Sequence, residues 1–186
     1  MGIPKLIKTL TASGDASLSF VDGTSSVVLD STYDEYMFVC TDIGPANNNV
    51  QFSFQVNATD DAGGGYDTSL ITSTFFRAYL AEDDSDKDFN YEAAQDQAQG
   101  SAFESLAVAI GNGSDESCAG ILHLFSPAST TYVKHFYARF HTYYFNNYSM
   151  DHYAAGYIND TTAIDEIQFK MSAGNFDGVI QMYGIS

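Results

Sequence analysis

Tryptophan is absent from the sequence, cysteine occurs twice, proline occurs three times, and only seven Lys and Arg stand against 24 Asp and Glu. The resulting formal net charge of −17 repels nucleic acid phosphates and anionic lipid head groups, because both are bound through clustered basic residues. We therefore expect neither nucleic acid nor a membrane as a partner. Charged residues make up only 17% of the chain, so Tyr, Ser, Thr and Asn must form much of its surface.

The two cysteines are expected to be separate thiols. Cys40 lies in an apolar stretch and Cys118 in a turn rich in Gly and Ser, which favours buried or inactive thiols over the alternative, a disulfide. The opening residues 1–10 lack the continuous apolar core of a secretory signal, and no apolar run is long enough to span a bilayer. These features predict a protein that is made in the cytosol and assembles afterwards.

Residues 50–56 show the most regular alternation of apolar and polar side chains in the sequence. The apolar set is Val50, Phe52, Phe54 and Val56, and the polar set is Gln51, Ser53 and Gln55. A period of two places the two sets on opposite faces of a strand. We expect the apolar face to lie in the core and the polar face to meet water or a partner.

About nine or ten strand-like stretches follow one another, separated by turn-rich segments. An opening β-hairpin is predicted from residues 6–10 and 16–20, and a closing β-hairpin from residues 166–171 and 179–185. This spacing predicts an all-β protein with a single domain over residues 1–186, an antiparallel β-sandwich of the jelly-roll kind. A more open sandwich of two sheets is the alternative.

Three segments interrupt the strand pattern. Residues 82–100 are polar and acidic, with weak helical character at 92–99, and we interpret them as a surface excursion. Residues 60–65 form a Gly-rich tip, and residues 103–110 fit either a short helix or a strand.

Asp84, Asp86 and Asp88 are spaced two residues apart, as in the opening of a Ca²⁺-binding loop. The rest of the loop does not match, because Phe89 stands where an EF-hand needs Gly and Gln95 stands where it needs Glu. A solvated acidic loop is the preferred interpretation, and Ca²⁺ is the weak alternative. No other cofactor is expected.

Three histidines, His135, His141 and His152, lie close together in the sequence and raise the question of a Zn²⁺ site. Along one strand, six residues separate His135 from His141 by roughly 20 Å, which is too far for one ion. The sequence contains no recognisable catalytic triad and no nucleophile-elbow pattern. We therefore expect a protein that is not an enzyme.

The stretch HTYYFNNYSMDH, residues 141–152, concentrates aromatic and amide side chains in what we expect to be a loop. The candidate contact residues are Tyr143, Tyr144, Asn146, Asn147 and Tyr148. Tyr-rich loops suit protein interfaces, and they also suit stacking on sugar rings with Asn as a hydrogen-bond partner. A protein interface is the preferred interpretation, while glycan contact and simple core filling are the alternatives.

Three stretches resemble a known group of proteins. They are LIKTLTASGDASLSFVDGTSSVVLDSTYDEYMF (6–38), FSPASTTYVKHF (125–136) and IDEIQFKMSAGNFDGVIQMYGI (164–185). The last, with its SAGN turn and final YGI, looks like the ending of small structural proteins from tailed bacteriophages of marine bacteria, including cyanobacteria. The first two look like the same group. The resemblance implies that the protein is a component of the virus particle, but it implies no reaction and no active-site residue.

The resemblance and the charge together predict a bacteriophage virion structural protein. We expect it to be made in the host cytoplasm and to lie on the virion exterior, because its charge repels packaged DNA. Capsid decoration is preferred over a tail-fibre module, since no coiled-coil pattern is present. The expected partners are other virion proteins and the protein itself, as a homo-oligomer, a trimer. The alternative is a carbohydrate-binding module that recognises a host surface glycan.

Overall fold

The computed structural model describes residues 2–59, 66 and 69–186, and within these residues the chain forms 13 strands and no helix. The strands are β1 Lys5–Asp15, β2 Ser17–Val21, β3 Glu35–Pro45, β4 Val50–Ala58, β5 Ile71–Ala81, β6 Lys87–Tyr91, β7 Ala98–Gly100, β8 Glu104–Ile110, β9 Cys118–Phe125, β10 Lys134–Tyr144, β11 Tyr148–Ile158, β12 Ile164–Met171 and β13 Phe176–Ile185. Every pairing is antiparallel, so the all-β, antiparallel prediction is confirmed. The strands exceed the predicted nine or ten.

Eight strands form a jelly-roll core. They pair in the orders β1-β13-β3-β9 and β2-β12-β4-β8. Counted within these eight alone, the first strand pairs with the eighth, the second with the seventh, and the fourth with the fifth, as in a jelly roll of two packed sheets. The jelly-roll prediction is therefore confirmed at the level of strand order.

The other five strands, β5, β6, β7, β10 and β11, enlarge one sheet, and we call them the extension. β10 pairs with β9, β11 with β10, and β5 with β11, while β6 and β7 both pair with β5. The result is a large sheet of nine strands facing a small sheet of four. A single bridge between Tyr144 in β10 and Ile110 in β8 connects the two sheets at one end.

Both predicted hairpins are wrong. β1 pairs with β13 and β2 pairs with β12, while β12 and β13 lie in different sheets. Alternation and turn residues specify where a strand begins and ends, but they do not specify its partner. In a jelly roll, successive strands are sent to opposite sheets, so a short turn does not imply a hairpin.

A cluster of phenylalanine rings fills the space between the two sheets. The Phe52 ring stacks on Phe169 with centroids 5.9 Å apart, and Phe20 meets Phe38 edge-on at 5.4 Å. All four side chains are fully buried. They come from strands of both sheets, and such ring pairs add about 0.5–1.5 kcal/mol each to the gain from burial. Cys40 and Cys118 are also buried and free, as predicted.

The acidic excursion is more ordered than expected. Its predicted helix is wrong, because residues 92–99 form a turn followed by the start of β7, and the segment also contributes β6. Both strands bind the free edge of β5, and this pairing overrides a weak helical propensity. Within the segment 103–110, residues Glu104–Ile110 form strand β8, one of the two structures predicted for it.

The polar face of β4 is also less exposed than expected. The apolar set at 50–56 is buried as predicted, but Ser53 and Gln55 are buried too. The Gln55 amide donates hydrogen bonds to the carbonyl oxygens of Ser101 and Ala102, both at 3.2 Å. The polar face of β4 is therefore covered by the segment before β8 and not by water or a partner.

The predicted tip at residues 60–65 lies outside the described residues. In the part of the chain that is described, no helix has the length and apolarity needed to cross a bilayer.

Candidate functional site

The Tyr- and Asn-rich stretch is a tight turn between two long strands, not a loop. β10 continues to Tyr144 and β11 begins at Tyr148, so only residues 145–147 form the turn. Asn147 has a φ of +64°, a left-handed conformation that Asn tolerates better than most residues. Three of the five predicted contact residues, all tyrosines, are therefore fixed by strand pairing.

Strand alternation separates these tyrosines. Tyr144 and Tyr148 are paired across the hairpin, share one face, and have ring centroids 5.3 Å apart at an angle of 77°. Tyr143 lies on the opposite face of β10, where its hydroxyl donates a hydrogen bond to the Asn147 side-chain oxygen at 3.3 Å. A stacking platform that includes Tyr143 together with Tyr144 and Tyr148 is thus wrong.

The face with Tyr144 and Tyr148 carries a cleft of about 170 Å³, which we call the tyrosine cleft. Its lining residues are Arg77, Tyr79, Asp86, Tyr144, Asn146, Tyr148 and Met150. The Tyr79 ring meets the Tyr148 ring edge-on, with centroids 5.8 Å apart. The cleft therefore combines aromatic faces with a cation, a carboxylate and an amide.

A second cleft, of about 340 Å³, adjoins the first, and we call it the acidic cleft. Its lining residues are Ala81, Glu82, Asp83, Ser85, Asn146, Asn147 and Tyr148. Asn146 and Tyr148 line both clefts, so the two form one trough. The backbone N–H of Glu82 donates to the carbonyl oxygen of Asn147 at 3.0 Å, which holds the acidic segment against the hairpin turn.

Arg77 is the cation of the tyrosine cleft, and its charge is already compensated. Its guanidinium forms an ion pair with Glu92 at 3.2 Å and lies 5.6 Å from the centre of the Tyr79 ring. On the other side of the cleft, Asp86 accepts a hydrogen bond from the Tyr148 hydroxyl at 3.4 Å. Partial desolvation, and then the Asp86 charge, raise the pKa of Tyr148.

The three aspartates of the predicted calcium loop have separate partners. Asp84 pairs with Lys87 at 2.6 Å, Asp86 binds Tyr148, and Asp88 accepts from the backbone N–H of Phe89 at 2.8 Å. Within residues 2–59, 66 and 69–186, no group of three or more His, Cys, Asp or Glu side chains is placed to hold a metal ion. Calcium binding stays a prediction.

The histidines are dispersed. His141 is exposed and binds the Ser149 hydroxyl at 2.9 Å, whereas His152 is fully buried against the Phe75 ring. Desolvation, followed by the positive charge of Arg77, lowers the pKa of His152 to about 4. His152 is therefore a neutral core residue at ordinary pH.

Sequence reasoning missed Arg77, Tyr79 and Met150. Arg77 and Tyr79 are two residues apart in β5, a spacing that places them on the same face of a strand. That signal is present in the sequence. It does not reveal that β5 pairs with β11, which is what brings both side chains beside Tyr148.

A second surface lies on the opposite side of the large sheet, and we call it the aromatic face. It consists of Phe76, Phe89, Tyr91, His123, Tyr137 and Tyr153. The His123 and Tyr137 rings stack at 4.4 Å, and the Phe76 and Tyr153 rings stack at 4.8 Å. Tyr137 is 47% exposed and Phe89 is 66% exposed. The extension thus presents aromatic side chains to solvent on neighbouring strands.

No protein-family model and no curated protein matches this chain. Function is therefore inferred from the trough formed by the two clefts, from the aromatic face, and from the charge of the chain.

Proposed function

We propose that the protein is a non-enzymatic structural protein of a tailed-bacteriophage virion, located on the particle exterior and assembled through protein–protein contacts. Head decoration and association with the tail or its fibres both suit an outward-facing protein. The resemblance of three stretches to virion proteins supports this role. The observation that carries it is the aromatic face, which is suited to contact with another protein surface.

The aromatic face has the composition of an interface. Tyr and Phe are enriched where proteins associate, and an exposed group of large rings marks an interaction surface. Tyr137 and Phe89 contribute exposed rings to it. A second copy of the chain is the proposed partner, with a trimer as the assembled state and neighbouring virion proteins as further contacts.

Salt should strengthen this self-association. The net charge of −17 opposes contact between copies at low ionic strength. At seawater-like salt the Debye length falls to several Å, so the repulsion is screened while apolar contact is retained. The same negative charge supports an exterior position, because packaged DNA would repel the protein.

Mass spectrometry of purified phage particles tests the virion role. The expected result is the protein among the particle components, in a copy number set by the symmetry of its attachment site. Its absence from particles would overturn the proposal. Density in a particle reconstruction then distinguishes the head from the tail.

Carbohydrate binding is the second candidate function, and the trough favours it. Tyr144 and Tyr148 provide ring faces there, and Asn146 provides an amide between the two clefts. A glycan array with the recombinant protein tests this function. Tyr148→Ala should remove the signal, whereas Tyr132→Ala, which changes a tyrosine that is 74% exposed and does not line the trough, should keep it.

A further inference from the structure

The trough is rich in uncompensated negative charge. Asp86 lines the tyrosine cleft, and Glu82 and Asp83 line the acidic cleft. Arg77 does not balance them, because it is paired with Glu92 at 3.2 Å, and both side chains are only about one-fifth exposed, 20% and 22%. A ligand that enters the trough therefore meets carboxylates and a cation whose charge is already neutralised.

The remaining groups suit a polyhydroxylated ligand. Asn146 presents both a donor and an acceptor, the Tyr148 hydroxyl donates to Asp86 and can still accept, and the Asp86 carboxylate has further acceptor capacity. The aromatic rings offer apolar faces for the C–H side of a sugar ring. Two adjoining clefts that share Asn146 and Tyr148 fit consecutive units of a chain better than a single ring.

We infer that the trough binds an uncharged oligosaccharide and discriminates against acidic ones, with Glu92 determining this specificity through Arg77. The inference rests on the carbohydrate-binding function proposed above. It adds to that function the charge class of the ligand and the role of Glu92, which does not line the trough but pairs with Arg77, which does.

The role of Glu92 follows from the chemistry of arginine. A free guanidinium binds a carboxylate through two parallel hydrogen bonds, so an unpaired Arg77 would attract a sugar acid. Glu92 already takes part of that binding capacity and cancels the charge. The backbone N–H of Glu92 bonds to the carbonyl oxygen of Phe75 at 2.9 Å, so replacing the side chain retains this backbone contact.

The experiment compares two sets of probes on three forms of the full chain. The probes are neutral glucose, galactose and mannose trisaccharides and the corresponding trisaccharides with one hexuronic acid, titrated at low and at seawater-like salt. The forms are the unchanged protein, Glu92→Gln and Asp34→Asn. Asp34 is an exposed carboxylate just before β3, at the opposite end of the large sheet from the trough, so its variant removes one charge without touching the site.

The unchanged protein should bind a neutral trisaccharide and should bind its acidic counterpart more weakly, with a difference that shrinks as salt is added. Glu92→Gln should raise affinity for the acidic probe by roughly threefold to tenfold and leave the neutral probe nearly unchanged. Asp34→Asn should behave like the unchanged protein. Thermal unfolding of each form checks that the fold is retained.

Two failures are distinguishable. If neither set of probes binds, carbohydrate binding itself is overturned, and the selectivity with it. If acidic trisaccharides bind as well as neutral ones, or if Glu92→Gln and Asp34→Asn change acidic affinity equally, the assigned selectivity is overturned while carbohydrate binding stands.

Discussion

The jelly-roll core and the extension fill the space between the sheets with different kinds of side chain. In the core, the rings of Phe20 and Phe52 both contact the ring of Phe169, and all three side chains belong to the buried apolar cluster. In the extension and at its border, Lys134 in β10 and Glu104 at the start of β8 are fully buried. Apolar packing needs only shape and volume, whereas each buried polar group needs a specific partner.

Glu104, at the border, meets that requirement at one of its two carboxyl oxygens, Oε2, while Oε1 is buried without a hydrogen-bond partner among the described residues. Its carboxylate accepts hydrogen bonds from the Ser73 hydroxyl at 3.0 Å and from the Gln97 side-chain amide at 2.8 Å. These partners come from β5 and from the segment before β7, so the network ties the extension to the small sheet. Apolar packing therefore holds the jelly-roll core together, whereas polar contacts such as those of Glu104 help to hold the extension, which carries the trough and the aromatic face, against the small sheet.

The largest expected effect is a difference in stability loss between a substitution in the core and one in the extension. Phe52→Ala opens a cavity in the ring cluster and should lower the free energy of unfolding by about 3–5 kcal/mol. Tyr148→Ala, in the partly exposed trough, should cost about 1 kcal/mol or less. Urea unfolding monitored by circular dichroism measures both. Equal losses would show that the trough is part of the structural core.

Glu104 should make the border sensitive to pH. Burial, which outweighs the hydrogen bonds from Gln97 and Ser73, raises its pKa from 4.5 to about 7. A raised carboxyl pKa means stability that is complete below about pH 4.5 and is lost as pH rises to about 7. The loss is about 3 kcal/mol, so Glu104→Gln should be more stable than the unchanged protein above pH 7.

Denaturant unfolding between pH 4 and pH 8 tests this difference, with Asp34→Asn as the control for removing one carboxylate. If Glu104→Gln is less stable than the unchanged protein at pH 8, then the ionised Glu104 carboxylate stabilises the fold, and the assigned direction of its pKa shift is wrong.

His152 should have the opposite pH dependence. Its pKa is lowered from 6.5 to about 4, so its contribution is complete above about pH 6.5 and is lost as pH falls towards 4, again by about 3 kcal/mol. Between pH 4.5 and 6.5 the two effects oppose each other. Stability of the unchanged protein should therefore vary little there, while Glu104→Gln should lose stability on acidification.

The complementary variant, His152→Asn, should gain stability as pH falls over the same interval, because the Glu104 effect is then unopposed. The slope with pH is the readout, since the absolute stability also includes the cost of a smaller side chain. If stability changes with pH in the same direction in Glu104→Gln and His152→Asn, the predicted opposite effects of Glu104 and His152 are wrong.

The smallest effect on stability, and a large effect on assembly, is expected at the aromatic face. Tyr137→Ser should lower the free energy of unfolding by about 1 kcal/mol or less, because Tyr137 is half exposed and loses mainly its stacking on the His123 ring. It should weaken self-association at seawater-like salt, measured by analytical ultracentrifugation. Tyr132→Ser is the matched control. If the unchanged protein is a monomer at both low and high salt, the aromatic face is not a self-association surface.

Much of the fold was accessible from the sequence because strand alternation is a local property. The apolar set of β4 and the two last strands, β12 and β13, were identified within a few residues of their bounds. Strand pairing was not accessible, since it depends on which of many similar edges meet. For this reason β6 and β7, whose residues pair with β5, were not distinguished from a polar loop.

The candidate site was predictable to the same extent. Tyr144, Asn146 and Tyr148 stood out through composition, and the structure places them in one trough. Tyr143 was grouped with them because side chains in a predicted loop are not assigned to alternating faces. In the structure Tyr143 lies in strand β10, where alternation places it on the face opposite Tyr144. Arg77 and Tyr79 come from β5, more than sixty residues earlier in the chain, and only the β5–β11 pairing brings them to the site.

The jelly-roll order also determines when the protein can acquire its structure during synthesis. β13 lies between β1 and β3, and β12 lies between β2 and β4, so each sheet lacks an interior strand until residues 164–185 have been translated. The strands made first must wait with unpaired edges for partners made last. Such distant pairing slows folding and leaves nascent chains open to aggregation. Ribosome-bound chains that end before β12 should therefore remain sensitive to protease, and resistance should appear only in chains long enough for β12 and β13 to have left the ribosome.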